Sequence, residues 1–524
     1  MLLLLACTEP AVVLKPDERP PLTDTDTDTD TDTDTDTDTD TDPTDPCDVD
    51  PGLSVVSAVP STPWTAHELQ VDVTLSGPAA VAVRCTLDSD PTEVHLVESA
   101  EAATVHTVRI PGLLADADYS CAAAAVCPQV TGGATPFAVT TGSDPDVLPA
   151  VTVGVDSPDA GDEYVLMNAA DDCTWDVQHA LVFDRAGRVR WTYALPAWVG
   201  PSIEFTYHGD DQFAWGGGWS PNSDARPRQM DLYDGEVYDS ADAIPDYTRT
   251  LFHHDGKKVA DGRWLTLEEV TVEGSDGNSF KGFQTRIVDP DANRVVMTYD
   301  SQRAIDEGHL PGGNDDAWHA NWVDVVTQGD HQELLINTCY LYKTMAVDAA
   351  TGDWLWAFGQ DGDFSLVDSA GRALPDSEFP QCQHGLQRVG DKLLVYDNGF
   401  DRGYSRAVEY TLDLETRVAT RNWTWTEDDW YETTLGSVDY LPSGNILIGQ
   451  GHAECFSSNP RGHTTTVEID PVSGDKLWEL RYAAVDQMAY RADWADACTL
   501  FANAKYCPAV ATRVGELGAV FGGE

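Results

Sequence analysis

Positive charge is scarce in this chain. Only 31 of its 524 residues are Lys or Arg, against 89 Asp or Glu, and the formal net charge is −58. Such a polyanion cannot neutralise a phosphate backbone or an anionic bilayer surface, which excludes nucleic acid and lipid head groups as partners. An anionic small molecule would need cations gathered locally. Long apolar runs are also missing: none approaches the roughly 20 residues that cross a bilayer. An Asp-rich run near the N-terminus lacks EF-hand spacing and its turn glycine, which argues against that kind of calcium site.

What is present is enough for large cores. Hydrophobic residues make up 42% of the chain, with 16 Trp. The length fits two domains, one of them large. The chain opens MLLLLAC, an apolar run ending in Leu-Ala-Cys. This resembles the lipobox of bacterial lipoproteins and makes Cys7 the expected lipidated residue. A basic segment and most of a signal's apolar core are absent, so translation is expected to start upstream. Removing Cys7 from eleven cysteines leaves ten, an even number in an export context. Cys498 and Cys507 are close enough to close a small loop. Cys47, Cys85, Cys121 and Cys127 are expected to pair among themselves, in an order the sequence does not fix.

Residues 1–22 are read as a signal remnant and residues 23–46 as a linker. Ten Thr-Asp repeats fill 23–42. Nothing there can be buried and like charges repel, so an extended tether of about 70 Å is expected. Beside a lipid anchor it would be a stalk. Membrane attachment is expected through that anchor alone, on an outer membrane, on the cell surface or in the periplasm.

Residues 48–144 alternate in short segments, LQVDVTL, AVAVRCTL and TVHTVRI, divided by Pro, Gly and Asp turns. The string IPGLLADADYSC resembles the fibronectin type III pattern, in which a tyrosine fixes a corner; Tyr119 takes that place. The expectation is a small fibronectin- or immunoglobulin-like β-sandwich. No catalytic grouping is visible in it, and His67, His95 and His106 are expected at the surface.

From residue 145 to about 500 two elements recur six times each. The first is a turn and an apolar strand: GDEYVLMN at 161, GDDQFAWGG at 209, DGRWLTLEE at 261, GDHQELLIN at 329, GDKLLVYDN at 390 and SGNILIGQG at 443. The second follows it, as in FDRAGRVRW at 183, VDAATGDWLW at 347 and IDPVSGDKLW at 469. Four short strands per repeat, six repeats and a period of about 50–65 residues predict an all-β six-bladed propeller. Residues 501–524 are read as a C-terminal tail.

The repeat arranges histidines. His254, His319 and His384 succeed one another at intervals of 65 residues, each near the start of a repeat. Rotational equivalence would point all three at one end of the axis. Asn398, Arg402 and His452 follow a second inner strand and should return to that end. A lone histidine near a strand start is usually structural; three in phase beside a rare arginine point to an anion site, with Arg supplying a fork of donors to an oxyanion. A metal is the other use of such a cluster. Only Glu268 or Glu269 and Asp397 come near the same phase, so no metal is expected. His208, His309 and His331 are left as structural or surface residues.

Residues from about 150 to 494 resemble the bacterial arylsulfate sulfotransferases. The strings that carry the resemblance are WHANWVDV (318–325), QHGLQ (383–387), YDNGFDRG (396–403), SRAVEYTLD (405–413), LPSGNILIGQGH (441–452) and YRAD (490–493). The resemblance implies sulfuryl transfer from an aryl sulfate to a phenol, without a nucleotide sulfate donor, through a sulfohistidine. It makes His452 the nucleophile, with His463 a minor rival. It places His384 and Arg402 on the sulfate oxygens and assigns His319 to sulfate binding or proton handling. Asn398, His254 and Arg406 complete the expected substrate-binding set. No cofactor is implied. The partners implied are a small aryl sulfate and a phenol. Trp318, Trp322 and Tyr404 are rings that could flank an aryl group, with core packing the more ordinary use. Cys382 and Cys455, each close to a site histidine, are a candidate disulfide. A sulfatase passing the group to water, or a non-catalytic propeller holding sulfated ligands, are the alternatives.

Overall fold

The structure is a computed structural model. It describes residues 52–522, apart from 63–64, 127–132, 172–177, 196–203, 210–211, 217–226, 234, 240–250, 260, 275–276, 314–315, 317 and 453–461. Cys7, the Thr-Asp repeats, Cys47, Cys127 and Cys455 lie outside these residues.

Antiparallel sheets dominate. Between residues 52 and 144 there are two. One pairs Val55–Ser61, Glu68–Ala79 and Ala103–Pro111; the other runs Asp90–Glu98, Val81–Leu87, Asp118–Ala125, Thr135–Thr140. Alternation decides which side chains they share: Leu69, Val71 and Val73 point inward with Val81, Val83 and Cys85 to form one core. Cys85 and Cys121 stand opposite each other on paired strands and form a disulfide. Tyr119 is fully buried, and its hydroxyl accepts the Leu114 N–H at 2.9 Å.

The three histidines expected at this surface are buried instead. His106 shares its strand face with Val108 and Ile110, and its Nε2 donates to the Ala79 and Ala103 carbonyls at 2.9 Å. His67 bonds Leu113 O and Asp144, and His95 lies against Asn503. Backbone carbonyls and fixed side chains satisfy the rings of His67 and His106, while His95 Nδ1 has no hydrogen-bond partner among the described residues.

Residues 151–495 form six further sheets. Four strands recur in each: a short first strand, the apolar strand of the turn–strand repeat, and a hairpin. The second strands are the most deeply buried. Tyr164–Asp171, Lys392–Asp397 and Ile446–Gln450 are apolar almost without interruption, because neighbouring sheets cover both faces. Tryptophans of the fourth strands fill the spaces between sheets. Trp478 donates to Arg185 O at 2.7 Å and Trp191 to Leu232 O at 3.1 Å, each reaching into the next sheet.

The chain ends are woven into this array. Val151–Asp156 is the outer strand of the last sheet, beside Lys476–Tyr482. Ala492–Ala495 is an inner strand of the first, beside Tyr164–Asp171. The innermost strands of the six sheets are Ala492–Ala495, Glu204–Tyr207, Leu251–Lys258, Ala320–Gln328, Gly385–Val389 and Ser437–Tyr440. Each contacts the next in that order, and the last contacts the first. They border a cavity of about 210 Å³, lined by Lys257, Asp324, Gln387, Ser437, Arg491 and Asp493 among others.

Residues 497–522 pack back on the N-terminal sheets. The helix Pro508–Glu516 is anchored by Arg513 to Glu98 at 2.7 and 2.8 Å, and Leu517 and Phe521 join Leu96 and Ala124. A Cys498–Cys507 disulfide closes the expected loop. Among the described residues no helix is long and apolar enough to cross a membrane.

Candidate functional site

The approach to the innermost strands bends sharply in three sheets. His254, His319 and Cys382 have φ of +61°, +48° and +51°, a region that side-chain-bearing residues seldom occupy. Around His254 the pairing of Leu251–Lys258 with its neighbour shifts register between Phe252 and Gly256, a bulge that re-aims a side chain. His254 therefore sits within its first strand, whereas His319 and His384 precede theirs. The result brings the three rings together. His254 and His319 meet edge to face at 4.6 Å between centroids, with their Nε2 atoms 3.2 Å apart. His254 lies 6.5 Å from the His384 ring and 6.3 Å from Tyr490.

The hydrogen bonds of His384 fix its tautomer. Asn398 donates both amide hydrogens, to Glu432 O and Leu435 O at 2.8 Å, so its oxygen must face His384. His384 Nδ1 lies 3.0 Å from that oxygen and 2.9 Å from Cys382 O. Two acceptors at Nδ1 demand a proton there. Burial, with His319 and Arg491 nearby, lowers the His384 pKa to about 3 against the pull of Asn398. The ring is neutral and its Nε2 carries a lone pair.

Arg491 lies beneath this cluster. It immediately precedes the innermost strand of the first sheet, as His319 and His384 precede theirs. Its Nη2 donates to Asn321 O at 2.9 Å and His384 O at 2.8 Å, and Nη1 lies 3.4 Å from Asp255. One guanidinium thus ties the first, third, fourth and fifth sheets. The resemblance strings contain Arg491, in YRAD, but its repeat phase is invisible until the C-terminal strand is known to complete the first sheet.

Arg402 is placed differently from a group aimed among the histidines. Both its terminal nitrogens bond Asp397, at 2.7 and 2.9 Å, and its guanidinium stacks on Tyr404 at 5.4 Å. Arg406 Nε bonds the same Asp397 oxygen at 2.8 Å. Arg406 and Arg421 share Glu378. Three guanidiniums thus meet two carboxylates here, with a third carboxylate, Asp401, on the same turn. Its turn needs Gly399, whose φ is +67° and where a Cβ would strike the Tyr404 carbonyl.

His452 is buried directly after Ile446–Gln450 and Gly451. Gly451 packs against Leu435 and Ala489, and Leu435 O is one of the carbonyls held by Asn398. His452 and Asn398 both follow second strands in adjacent sheets, Asn398 one residue and His452 two residues past the strand end. His319 is further held by Asp316, which the sequence reading did not single out, at 2.6 Å from Nδ1.

Other expectations resolve as follows. Cys382 pairs with Cys339, at the end of the preceding sheet's second strand, and so is not bonded to Cys455. Cys339 N–H also donates to His319 O at 3.0 Å, so the disulfide joins the backbones that bear two of the histidines. Trp318 and Trp322 are core residues; Trp318 packs on Phe280 at 5.0 Å. Glu268 is occupied by Thr266 and Arg286. Among the described residues no group of three or more His, Cys, Asp or Glu side chains could hold a metal ion. His208, read as structural, lines the axial cavity, and burial lowers its pKa to about 4.

No curated protein matches this chain. A putative 6-phosphogluconolactonase from Bacteroides fragilis is 10% identical, covers 80% of this chain and 98% of its own, and superposes with a TM-score of 0.34. A hypothetical selenium-binding protein from Sulfolobus tokodaii is 9% identical, covers 80% and 94%, and gives 0.38. The arylsulfotransferase (ASST) family model matches residues 155–491, a stretch spanning all six sheets and ending at Arg491. That match covers well over half of the chain, which therefore belongs to the arylsulfotransferase family.

Proposed function

We propose that this protein is an exported six-bladed propeller with an N-terminal sandwich. In this reading it moves a sulfuryl group from an aryl sulfate to a phenol through a sulfohistidine at His452, without a nucleotide donor. The carrying observation is the convergence of His254, His319 and His384 from three sheets on one buried cluster. A neutral imidazole is a competent nucleophile near pH 7, and a covalent intermediate divides the transfer into two easier steps. The cyclic order of innermost-strand contacts and the two exchanged end strands support the propeller. The three disulfides support maturation in an oxidising compartment.

The roles follow from the charges. His452 attacks sulfur and the aryloxide leaves. Developing charge on the phenolic oxygen is stabilised by donors already in place. Arg402 and Arg406 supply positive charge at the corner beside Asn398 and draw in the sulfate. The resting tautomer of His384 has no hydrogen on Nε2. His384 must therefore gain a proton there before it can donate to a sulfate oxygen, and an arriving anion favours that gain.

The test is incubation with 4-nitrophenyl sulfate, with and without added phenol. Release of 4-nitrophenol that depends on phenol is the expected result. Release indifferent to phenol means that water is the acceptor. No release, with retention of the sulfate ester, means a binding protein.

A further inference from the structure

One carboxylate beside the site has no role in the transfer so far described. Asp316 Oδ2 lies 2.6 Å from His319 Nδ1. An ionised carboxylate only accepts, so Nδ1 carries the hydrogen. The Nε2 atoms of His319 and His254 lie 3.2 Å apart, so one hydrogen lies between them. The three residues form a continuous chain, His254–His319–Asp316.

The backbone is bent to build this chain. Both histidines are held at positive φ, and the His254 strand carries a register shift at that place. Strain of this kind persists where surrounding structure enforces it. Around His319 stand Asp316, His254 and Tyr340, whose ring is 5.1 Å away and whose pKa is raised by burial and by Asp316. Around His254 stand His384 and Tyr490, with Arg491 beyond them on Asp255 and the His384 carbonyl. Among the described residues, the Asp316 carboxylate is bonded directly to this imidazole pair.

We propose that Asp316 is a positioning residue that makes His254 and His319 the proton acceptor for the incoming hydroxyl. The inference rests on the sulfuryl-transfer reading above. In the second half-reaction the acceptor oxygen bonds to sulfur and the S–N bond to His452 breaks, its electron pair returning to the ring. The acceptor O–H proton passes to the His254–His319 pair, and Asp316 holds the resulting imidazolium charge. In the next first half-reaction the same proton returns to the departing phenolate, so the pair acts as base and then as acid.

The experiment uses the full chain and Asp316→Asn, with Asp316→Glu as the conservative control. Nitrogen NMR of labelled histidines reads the His319 tautomer directly. The wild type should hold its hydrogen on Nδ1, and Asp316→Asn should lose that preference. With 4-nitrophenyl sulfate as donor, the first burst of 4-nitrophenol should survive in Asp316→Asn, because that leaving group needs little protonation. Steady turnover onto phenol should fall by about 10²–10⁴-fold, and Asp316→Glu should recover most of it. Equal loss of burst and turnover, or a His319 tautomer indifferent to the substitution, overturns the proposal. Absence of any release by the wild type contradicts the sulfuryl-transfer reading itself and the proton path with it, while the spectra still decide whether Asp316 sets the tautomer.

Discussion

The histidine cluster and the Asp397 corner stand side by side, joined through Asn398, yet they solve opposite problems. At Asp397 charge is permanent: Arg402 and Arg406 share one carboxylate. Among the histidines charge is withheld: His384 is kept neutral by burial, and His319 and His254 are linked nitrogen to nitrogen. Guanidiniums cannot release a proton near pH 7 and imidazoles can. The corner is thus suited to attract an anion, and the cluster to attack and to move protons. Burial alone does not make a histidine functional, since His67, His95 and His106 are buried in the N-terminal sheets, apart from this cluster. Facing another imidazole is what separates the two groups.

This contrast breaks first at the corner. Arg402→Ala should cut turnover of 4-nitrophenyl sulfate at low donor concentration by more than about tenfold, because the corner then attracts the anion less strongly. Asp397 retains Arg406, so urea unfolding should shift by only about 1–2 kcal/mol. An activity loss below tenfold would return Arg402 to a purely structural role.

The link between the regions should fail next. Asn398→Ala takes the Asn398 donor from Leu435 O and one of two partners from Glu432 O, which keeps Ser405, and from the His384 Nδ1 hydrogen, which keeps Cys382 O. Denaturant titration should show a loss of about 1–3 kcal/mol, with the His384 hydrogen still on Nδ1 in nitrogen spectra. A neutral substitution would mean that water replaces the amide completely.

The smallest effect concerns pH. The folded pKa of His384 is about 3, below its ordinary 6.5. Below pH 6.5 the unfolded chain binds a proton that the native ring refuses, so stability is complete above pH 6.5 and declines as pH falls toward 3. His384→Asn, whose amide can still donate to Cys382 O and Asn398, should flatten that decline. Inorganic sulfate should oppose it, protecting the wild type more at about pH 5.5 than at about pH 7.5. An identical pH profile in the variant would show that other groups set the decline.

Much of this was legible in the sequence because sheets repeat. The turn–strand series at 161, 209, 261, 329, 390 and 443 falls on the second strands, and the 65-residue interval brings His254, His319 and His384 together. What escaped was set by closure and register. Arg491 joins the ring of positions only because the first sheet borrows a strand from the far end of the chain. Cys339 reaches Cys382 because the end of one second strand lies beside the start of the next sheet, a proximity that spacing does not reveal. His106 was readable: it shares parity with Val108 and Ile110, and its own polarity argued falsely for the surface.

The central claim is that sulfur is handed over on a histidine ring. Brief exposure to 4-nitrophenyl sulfate without acceptor, followed by alkaline peptide mapping, tests it directly. The account predicts the added mass of one SO3, lost in acid, on the peptide containing His452, and none in His452→Ala. An unmodified His452 peptide from a protein that turns over the donor, or full activity in His452→Ala, would contradict it.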